Sequence, residues 1–80
     1  MDIKKKFGEK IRLLRIEKGW SQETLALNAD LDRTYIPGIE SGKRNVSIVV
    51  IEKLAKALMV EIPFLMDFNN TNFYNQSNLL

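Results

Sequence analysis

Hydrophobic residues recur at helical spacing along the start of this 80-residue chain. Apolar side chains that stand three or four positions apart form one stripe along a helix. Asp2 can cap the start of this first helix, and Gly19 can take the left-handed conformation that ends it. The stripe consists of Ile3, Phe7, Ile11 and Leu14.

A second helix follows almost at once and is short. Ser21 is a favourable N-cap residue, and Gln22 and Glu23 would occupy the first turn, where a negative charge suits the helix dipole. The pattern breaks after about two turns, at residues 30–32. The residues that this helix turns toward the core are Leu25, Ala26 and Ala29.

A third helix begins after that break. Asp30 can tolerate a left-handed conformation, and Asp32 can cap a helix that starts at Arg33. Gly42 ends it. Two short helices joined by about three residues form the helix-turn-helix arrangement. The apolar side of the third helix is formed by Ile36 and Ile39.

The second half of the chain predicts two more helices. Ser47 can cap the fourth, and Pro63 suits the first position of the fifth. Residues 69–80 are rich in Asn, Thr, Gln and Ser, which predicts a loosely ordered polar tail. The sequence therefore predicts an all-α domain of five helices over residues 1–68. The fourth helix has its apolar positions at Ile48, Ile51, Leu54, Ala55 and Leu58, and the fifth contains Phe64, Leu65 and Phe68.

Composition narrows the function. The chain has no cysteine and no histidine, which removes thiolate metal sites and the usual general base near neutral pH. We therefore expect a protein that is not an enzyme and that uses no metal and no cofactor. The longest apolar run, residues 48–51, is far shorter than the ~20 residues that cross a membrane, so we expect a cytoplasmic protein.

The third helix carries residue types that can read DNA. The net charge is only +2, but seven of the twelve basic residues lie within residues 1–20. Arg33 can bridge both major-groove acceptors of guanine, and Thr34 can meet the methyl group of thymine. Gly38 would let the helix approach the base edges closely. Judged by residue type alone, an ordinary solvated first turn explains Arg33 and Thr34 about equally well.

The segments on either side of the third helix favour DNA binding. Free amide groups at the start of the second helix, near Ser21 and Gln22, are suited to phosphate. Lys43, Arg44 and Asn45 directly follow the third helix, where they would meet the DNA backbone. Phosphate contacts at both ends of a reading helix fix its register on the duplex.

Two stretches of sequence resemble a known family, over roughly residues 5 to 68. Residues 7–26 look like the opening of the Xre or lambda-repressor-like helix-turn-helix family. Residues 31–45 look more narrowly like controller proteins of restriction-modification systems. The motifs are Phe7-Gly8…Ile11-Arg12…Leu14-Arg15…Gly19-Trp20-Ser21-Gln22-Glu23…Leu25-Ala26 and Leu31-Asp32-Arg33-Thr34-Tyr35-Ile36…Gly38-Ile39-Glu40…Gly42…Arg44-Asn45.

The resemblance implies a lambda-repressor-like domain of five helices that dimerises through its C-terminal helices and binds palindromic operators in double-stranded DNA. It assigns a structural ion pair to Arg15 and Glu40. It places base-reading residues at Arg33, Thr34 and Tyr35, and phosphate or backbone contacts at Gln22, Ser41, Lys43, Arg44 and Asn45. The residue types themselves add Gly38 to the base-reading set and Ser21 to the phosphate set.

The chain departs from the family pattern at three positions. Asp30 and Met59 stand where the family often has glycine, and Met59 predicts that the fourth helix runs on or closes differently. Pro37 would be the fifth residue of a helix that starts at Arg33, which is too deep for a free first-turn position. We therefore expect a bend or a widened turn there.

The stretch from residue 60 to 68 holds more apolar side chains than an 80-residue bundle can bury by itself. Such a patch predicts a surface for a second copy of the chain. The predicted dimer residues are Val60, Ile62, Phe64, Leu65 and Phe68.

The sequence thus predicts a homodimeric, sequence-specific transcriptional regulator, most similar to a restriction-modification controller, with RNA polymerase as a further candidate partner. A phage repressor or an antitoxin with the same domain is the nearest alternative. A protein-interaction adaptor that keeps the fold but binds no DNA is an alternative from another class.

Overall fold

The computed structural model describes residues 1–69, and all the regular secondary structure in that range is helical. This confirms the predicted five-helix, all-α fold. The predicted tail, apart from Asn69, lies outside the described residues. None of the described helices is long and apolar enough to cross a membrane. The helices are α1 (Ile3–Glu17), α2 (Gln22–Asn28), α3 (Tyr35–Glu40), α4 (Ile48–Leu58) and α5 (Ile62–Leu65).

The predicted N-caps of α1, α2 and α4 are confirmed. Asp2 Oδ1 accepts hydrogen bonds from the backbone N–H groups of Lys4 and Lys5, at 3.1 and 3.3 Å. Ser21 Oγ accepts from the third residue of α2 at 3.0 Å, and Ser47 Oγ accepts in the same way in α4 at 3.1 Å. Each cap satisfies amide groups that the first helical turn leaves without a partner.

The core lies where the five helices converge. Contacts are most numerous between α1 and α3, and Gly8 is the reason that these two helices can approach so closely. A Cβ atom at Gly8 would lie 2.2 Å from the carbonyl oxygen of Ile39, so no other residue fits there without moving the backbone. The buried apolar residues are Phe7, Ile11, Leu14, Leu25, Ala26, Ala29, Ile36, Ile39, Leu54, Ala55, Leu58 and Leu65.

The third helix begins at Tyr35, so the prediction that it begins at Arg33 is wrong. Asp32 Oδ1 accepts from both the N–H and the hydroxyl of Thr34, at 2.9 and 2.7 Å, and holds a separate turn before α3. Pro37 is consequently the third residue of α3. Its missing N–H belongs to the first turn, where it has no helical partner in any case, and the reason for expecting a bend disappears.

Three details of α4 and α5 also differ from the prediction. Ile48 was expected on the buried stripe of α4, but its side chain is 81% exposed. Pro63 is the second residue of α5 and not the first, and Phe68 lies beyond the end of that helix. The apolar spacing was correct for the rest of α4, where Leu54, Ala55 and Leu58 are buried and Ile51 is half-buried.

Two residues other than glycine adopt left-handed backbone conformations. Asp30 has φ 56°, as its place in the turn predicts. Met59 ends α4 with φ 60° and ψ 42°, so the helix stops at Leu58 and does not run on. A left-handed conformation costs a residue with a side chain about 1–2 kcal/mol.

A buried lysine joins α1 to the end of the described chain. Lys10 is 4% exposed, and its Nζ donates to the backbone carbonyl of Asp67 at 3.0 Å. The same ammonium group lies 4.1 Å from the centre of the Phe64 ring. Burial lowers the pKa of Lys10, and the Asp67 carboxylate offsets part of that effect. Lys10 therefore fixes the segment that follows α5 against α1.

Candidate nucleic-acid interface

A buried ion pair sets the orientation of α3. Arg15 Nε lies 2.7 Å from Glu40 Oε2, and a second guanidinium nitrogen lies 3.0 Å from Oε1, which makes the contact bidentate. The side chain of Glu40 is only 5% exposed. The hydrogen bond that Arg15 donates to Glu40 raises the pKa of Arg15 above its ordinary value. Removing either partner would strand the other, at a cost of about 3–5 kcal/mol where burial is deep.

Gln22 connects this ion pair to the first turn of α2. Its side-chain amide donates to Glu40 Oε1 at 3.1 Å, while Arg15 also donates to the carbonyl oxygen of Trp20 at 2.7 Å. Gln22 is half-buried and engaged with protein. The residue predicted to meet phosphate thus has a structural contact as well, and the second hydrogen of its amide group is left to donate to a phosphate.

Arg33 and Thr34 project from the turn that precedes α3, and both are exposed. Arg33 approaches Glu23 at 3.5 Å, but both side chains are 73% exposed, so this pair contributes little to stability. The hydroxyl of Thr34 donates to Asp32, and its oxygen remains able to accept. These hydrogen bonds lower the pKa of Asp32, with a smaller contribution from the charge of Arg33.

Tyr35 and Gly38 of α3 form one continuous surface with Arg44 of the loop that follows. The Arg44 guanidinium lies 4.1 Å above the centre of the Tyr35 ring, and Tyr35 is half-buried beneath it. The backbone N–H groups of Lys43 and Arg44 both donate to the carbonyl oxygen of Gly38, at 3.0 and 3.1 Å. The loop after α3 is therefore folded back against the helix, and Arg44 lies beside the candidate base-reading residues.

The other candidate backbone contacts flank this surface. Ser21 is exposed at the start of α2, and its hydroxyl is within 2.9 Å of the Thr24 hydroxyl. Ser41 Oγ donates to the Gly38 carbonyl oxygen at 3.2 Å. Lys43 and Asn45 are exposed. Through the contacts of Gln22 with Glu40 and of Arg44 with Tyr35, the structure brings the start of α2 and the loop after α3 against α3.

The predicted dimer surface needs one correction. Leu65 is completely buried within its own chain, because α5 packs it into the core, so it cannot meet a second copy. Val60, Phe64 and Phe68 are half-buried, and Ile62 is 40% exposed. Sequence reasoning missed the exposure of Ile48, which the apolar spacing assigned to the core.

Comparison with known proteins identifies similar chains. A family model described as "Helix-turn-helix" matches residues 11–65. Control protein C.BamHI from Bacillus amyloliquefaciens is 52% identical over 68 residues, which cover 84% of this chain and 84% of that protein. The matched segments include both short helices of the candidate interface.

Two solved structures share the fold. The restriction-modification controller protein C.AhdI from Aeromonas hydrophila matches with a TM-score of 0.74 and 56% identity, over 76% of this chain and 92% of that one. The controller protein C.Esp1396I, solved as a tetramer in complex with its natural 35 base-pair operator, matches with a TM-score of 0.73 and 41% identity. That match covers 79% of this chain and 83% of the other.

Proposed function

The chain belongs to the helix-turn-helix family, among the restriction-modification controller proteins, and from that premise we propose that it regulates transcription by binding a palindromic operator as a homodimer. A dimer of this kind places two reading helices about 34 Å apart, which is one turn of DNA. Whether transcription rises or falls depends on where the dimer lies relative to RNA polymerase. Such a regulator acts on DNA in the cytoplasm and needs no cofactor.

One observation carries this proposal: the exposed residues around α3 are held by a buried frame. Arg15, Glu40 and Gln22 connect α1, α2 and α3, while Arg33 and Thr34 lie exposed on the turn before α3. A backbone that is already held in place loses little freedom when DNA binds, which favours affinity. Arginine is also the side chain that most often reads guanine, through two parallel hydrogen bonds in the major groove.

The dimer surface is supported by apolar side chains that α4 and α5 leave uncovered. Ile62 is exposed at the start of α5, and Ile48 is exposed on α4. Val60, Phe64 and Phe68 retain part of their surface. We propose that these residues meet their counterparts in a second copy, because identical patches pair most simply about a twofold axis.

The proposal is tested by first selecting bound sequences from a random duplex pool and then comparing Arg33→Ala with Arg33→Lys. Arg33→Ala should weaken binding to the selected operator by about 1–3 kcal/mol and relax the base preference at one position. Arg33→Lys keeps the charge but loses the planar two-donor geometry, so it should restore binding to random duplex without restoring the preference.

Two results would count against the proposal. Undiminished binding of Arg33→Ala to the selected operator would mean that Arg33 does not read a base. If the native chain binds no duplex even at low salt, the fold serves another purpose, such as the protein-interaction adaptor. If the chain binds DNA phosphates, its affinity for duplex falls steeply as the salt concentration rises.

A further inference from the structure

The first turn of α1 is packed against the loop that follows the reading helix. Gly42 lies in that loop with φ 78°, and a Cβ atom at this position would lie 2.6 Å from Lys5 Cγ and 2.8 Å from Lys5 Cα. The two backbones therefore touch. Residues that are 37 positions apart in the sequence become neighbours in space.

Lys4, the residue before Lys5 on α1, lies in the same region. It lines a small cleft of 180 Å³ together with Arg44 and Asn45. Arg44 continues from this cleft onto the face of α3, where it covers the Tyr35 ring. A continuous line of side chains thus runs from the reading helix, through its following loop, to the start of α1.

This line is strongly basic. Lys4, Lys5, Lys43 and Arg44 are all exposed, and none of the four has an acidic partner within ion-pair distance among residues 1–69. The nearby carboxylate of Asp2, which accepts from the backbone N–H groups at the start of α1, offsets only part of this charge. The remaining excess of positive charge in one stretch of surface creates a positive potential that attracts phosphate.

We propose that Lys4 and Lys5 bind phosphates of the DNA backbone together with Lys43 and Arg44, so that the footprint on DNA extends beyond the helix-turn-helix to the first turn of α1. The proposal rests on the proposed function, because it assumes that α3 enters the major groove. The loop after a groove-inserted helix meets the adjacent backbone, and Lys5 is fixed to that loop by the Gly42 contact.

Lys6 provides a matched control on the same helix. A residue two positions before Gly8 on an α-helix projects about 160° away from it. Gly8 packs against α3, so Lys6 faces away from the reading helix and is exposed. Lys6→Gln removes one positive charge, half the change made by a variant of both Lys4 and Lys5, from the same helical turn without touching the basic line.

The experiment measures affinity for the selected operator and for random duplex as a function of salt, for the native chain, Lys4→Gln/Lys5→Gln and Lys6→Gln. Each phosphate neutralised contributes about 0.9 to the slope of log affinity against log salt. The double variant should therefore lower the slope by about 1.8, equivalent to a roughly 12-fold smaller loss of affinity between 50 and 200 mM salt. Its preference for operator over random duplex should stay unchanged, since phosphate contacts carry no base information.

A double variant with the same slope as Lys6→Gln would overturn the proposal and show that these lysines are an ordinary solvated surface. Circular dichroism establishes that the variants are folded, which glutamine in a helix permits. A native chain that binds no DNA would refute the proposed function instead, so the two failures are distinguishable.

Discussion

Replacing Gly38 by alanine separates what the fold requires at this position from what DNA binding requires. Gly38 is the fourth residue of α3 and has no positive φ. A Cβ atom there would lie 3.6 Å from Arg44 Cβ and 3.7 Å from Arg44 Nε, which is ordinary van der Waals contact. Gly8 is the contrast, because a Cβ at that position would collide with the carbonyl oxygen of Ile39. The fold therefore needs glycine at position 8 but not at position 38.

Alanine at position 38 should make the protein more stable. In a helical conformation that alanine can adopt, the exchange reduces the entropy of the unfolded chain and contributes about 0.5–1 kcal/mol. For a domain of this size, that corresponds to a rise in Tm of about 2–8 °C. Thermal unfolding followed by circular dichroism measures this directly.

The same substitution should weaken DNA binding. The added methyl group projects from the surface that Gly38 shares with Tyr35 and Arg44, and it would hold α3 away from the base edges. Losing one good two-donor contact costs about 1–3 kcal/mol, which is about 5- to 150-fold in affinity. Fluorescence anisotropy with the selected operator measures the change. A stabilised Gly38→Ala protein that binds its operator as tightly as the native chain would refute this reasoning, as would a variant that fails to fold.

Two further predictions follow from individual residues. Met59→Gly should raise the urea midpoint by an amount equivalent to about 1 kcal/mol, because glycine adopts the left-handed conformation without strain. Asp30→Gly, measured at the same low protein concentration, is the control. Its midpoint should rise less, because aspartate tolerates this conformation and Asp30 pairs with Lys53. An unchanged midpoint for Met59→Gly would show that the left-handed Met59 is not strained. Thr34→Val should bring the pKa of Asp32 back up toward its ordinary value, as seen in an NMR titration of the carboxylate. The pKa of Asp32 is lower in the folded than in the unfolded protein, so these hydrogen bonds stabilise the fold at neutral pH. This stabilisation is lost as the pH falls through the folded-state pKa. If the Asp32 titration is the same in Thr34→Val as in the native chain, the hydroxyl is not the cause of the lowered pKa.

The parts of the fold that depend on contacts between residues close in the sequence could be predicted from the sequence. Asp2, Ser21 and Ser47 each accept hydrogen bonds from residues two or three positions ahead, so residue type and position suffice. The helical spacing of apolar residues also identified most of the core. Ile3 and Ile48 were the exceptions, at 55% and 81% exposed. Both are the first residues of their helices, and the spacing gives the face of a helix but not how far along it the core extends.

The start of α3 could not be predicted, because two local structures compete for the same side chain. An aspartate that accepts from the second or third residue ahead can cap a helix, or it can hold a separate tight turn. Asp32 does the latter with Thr34, which moves the helix start to Tyr35 and leaves Pro37 in the first turn. Sequence alone gives no energy difference between these choices.

The burial of Lys10 was not predicted from the sequence because the residue is charged. It stands seven positions after Ile3 and four before Leu14, on the apolar face of α1, so the helical spacing contained a signal that it is buried. A lysine on such a face is usually assigned to solvent. Its acceptor is the backbone carbonyl of Asp67, 57 residues away, which no local pattern identifies.

The contacts among the candidate site residues could be predicted only in part. The resemblance assigned Arg15 and Glu40 to a pair, and the structure places them in bidentate contact. The third member, Gln22, was expected on phosphate and lies on Glu40. The position of Arg44 over Tyr35 depends on the conformation of the loop after α3, which is set by two hydrogen bonds to the Gly38 carbonyl oxygen.

The orientation of α3 depends on the whole domain and not on α3 alone. A helix of six residues is far below the ~12–15 residues at which an isolated helix becomes even marginally stable in water. Ile36 and Ile39 anchor one side of α3 in the core, and Gly8 allows α1 to lie directly against its carbonyl groups. Glu40 then fixes its end to Arg15. Because α1 supplies both Gly8 and Arg15, a helix that carries none of the candidate base-reading residues fixes the position of α3.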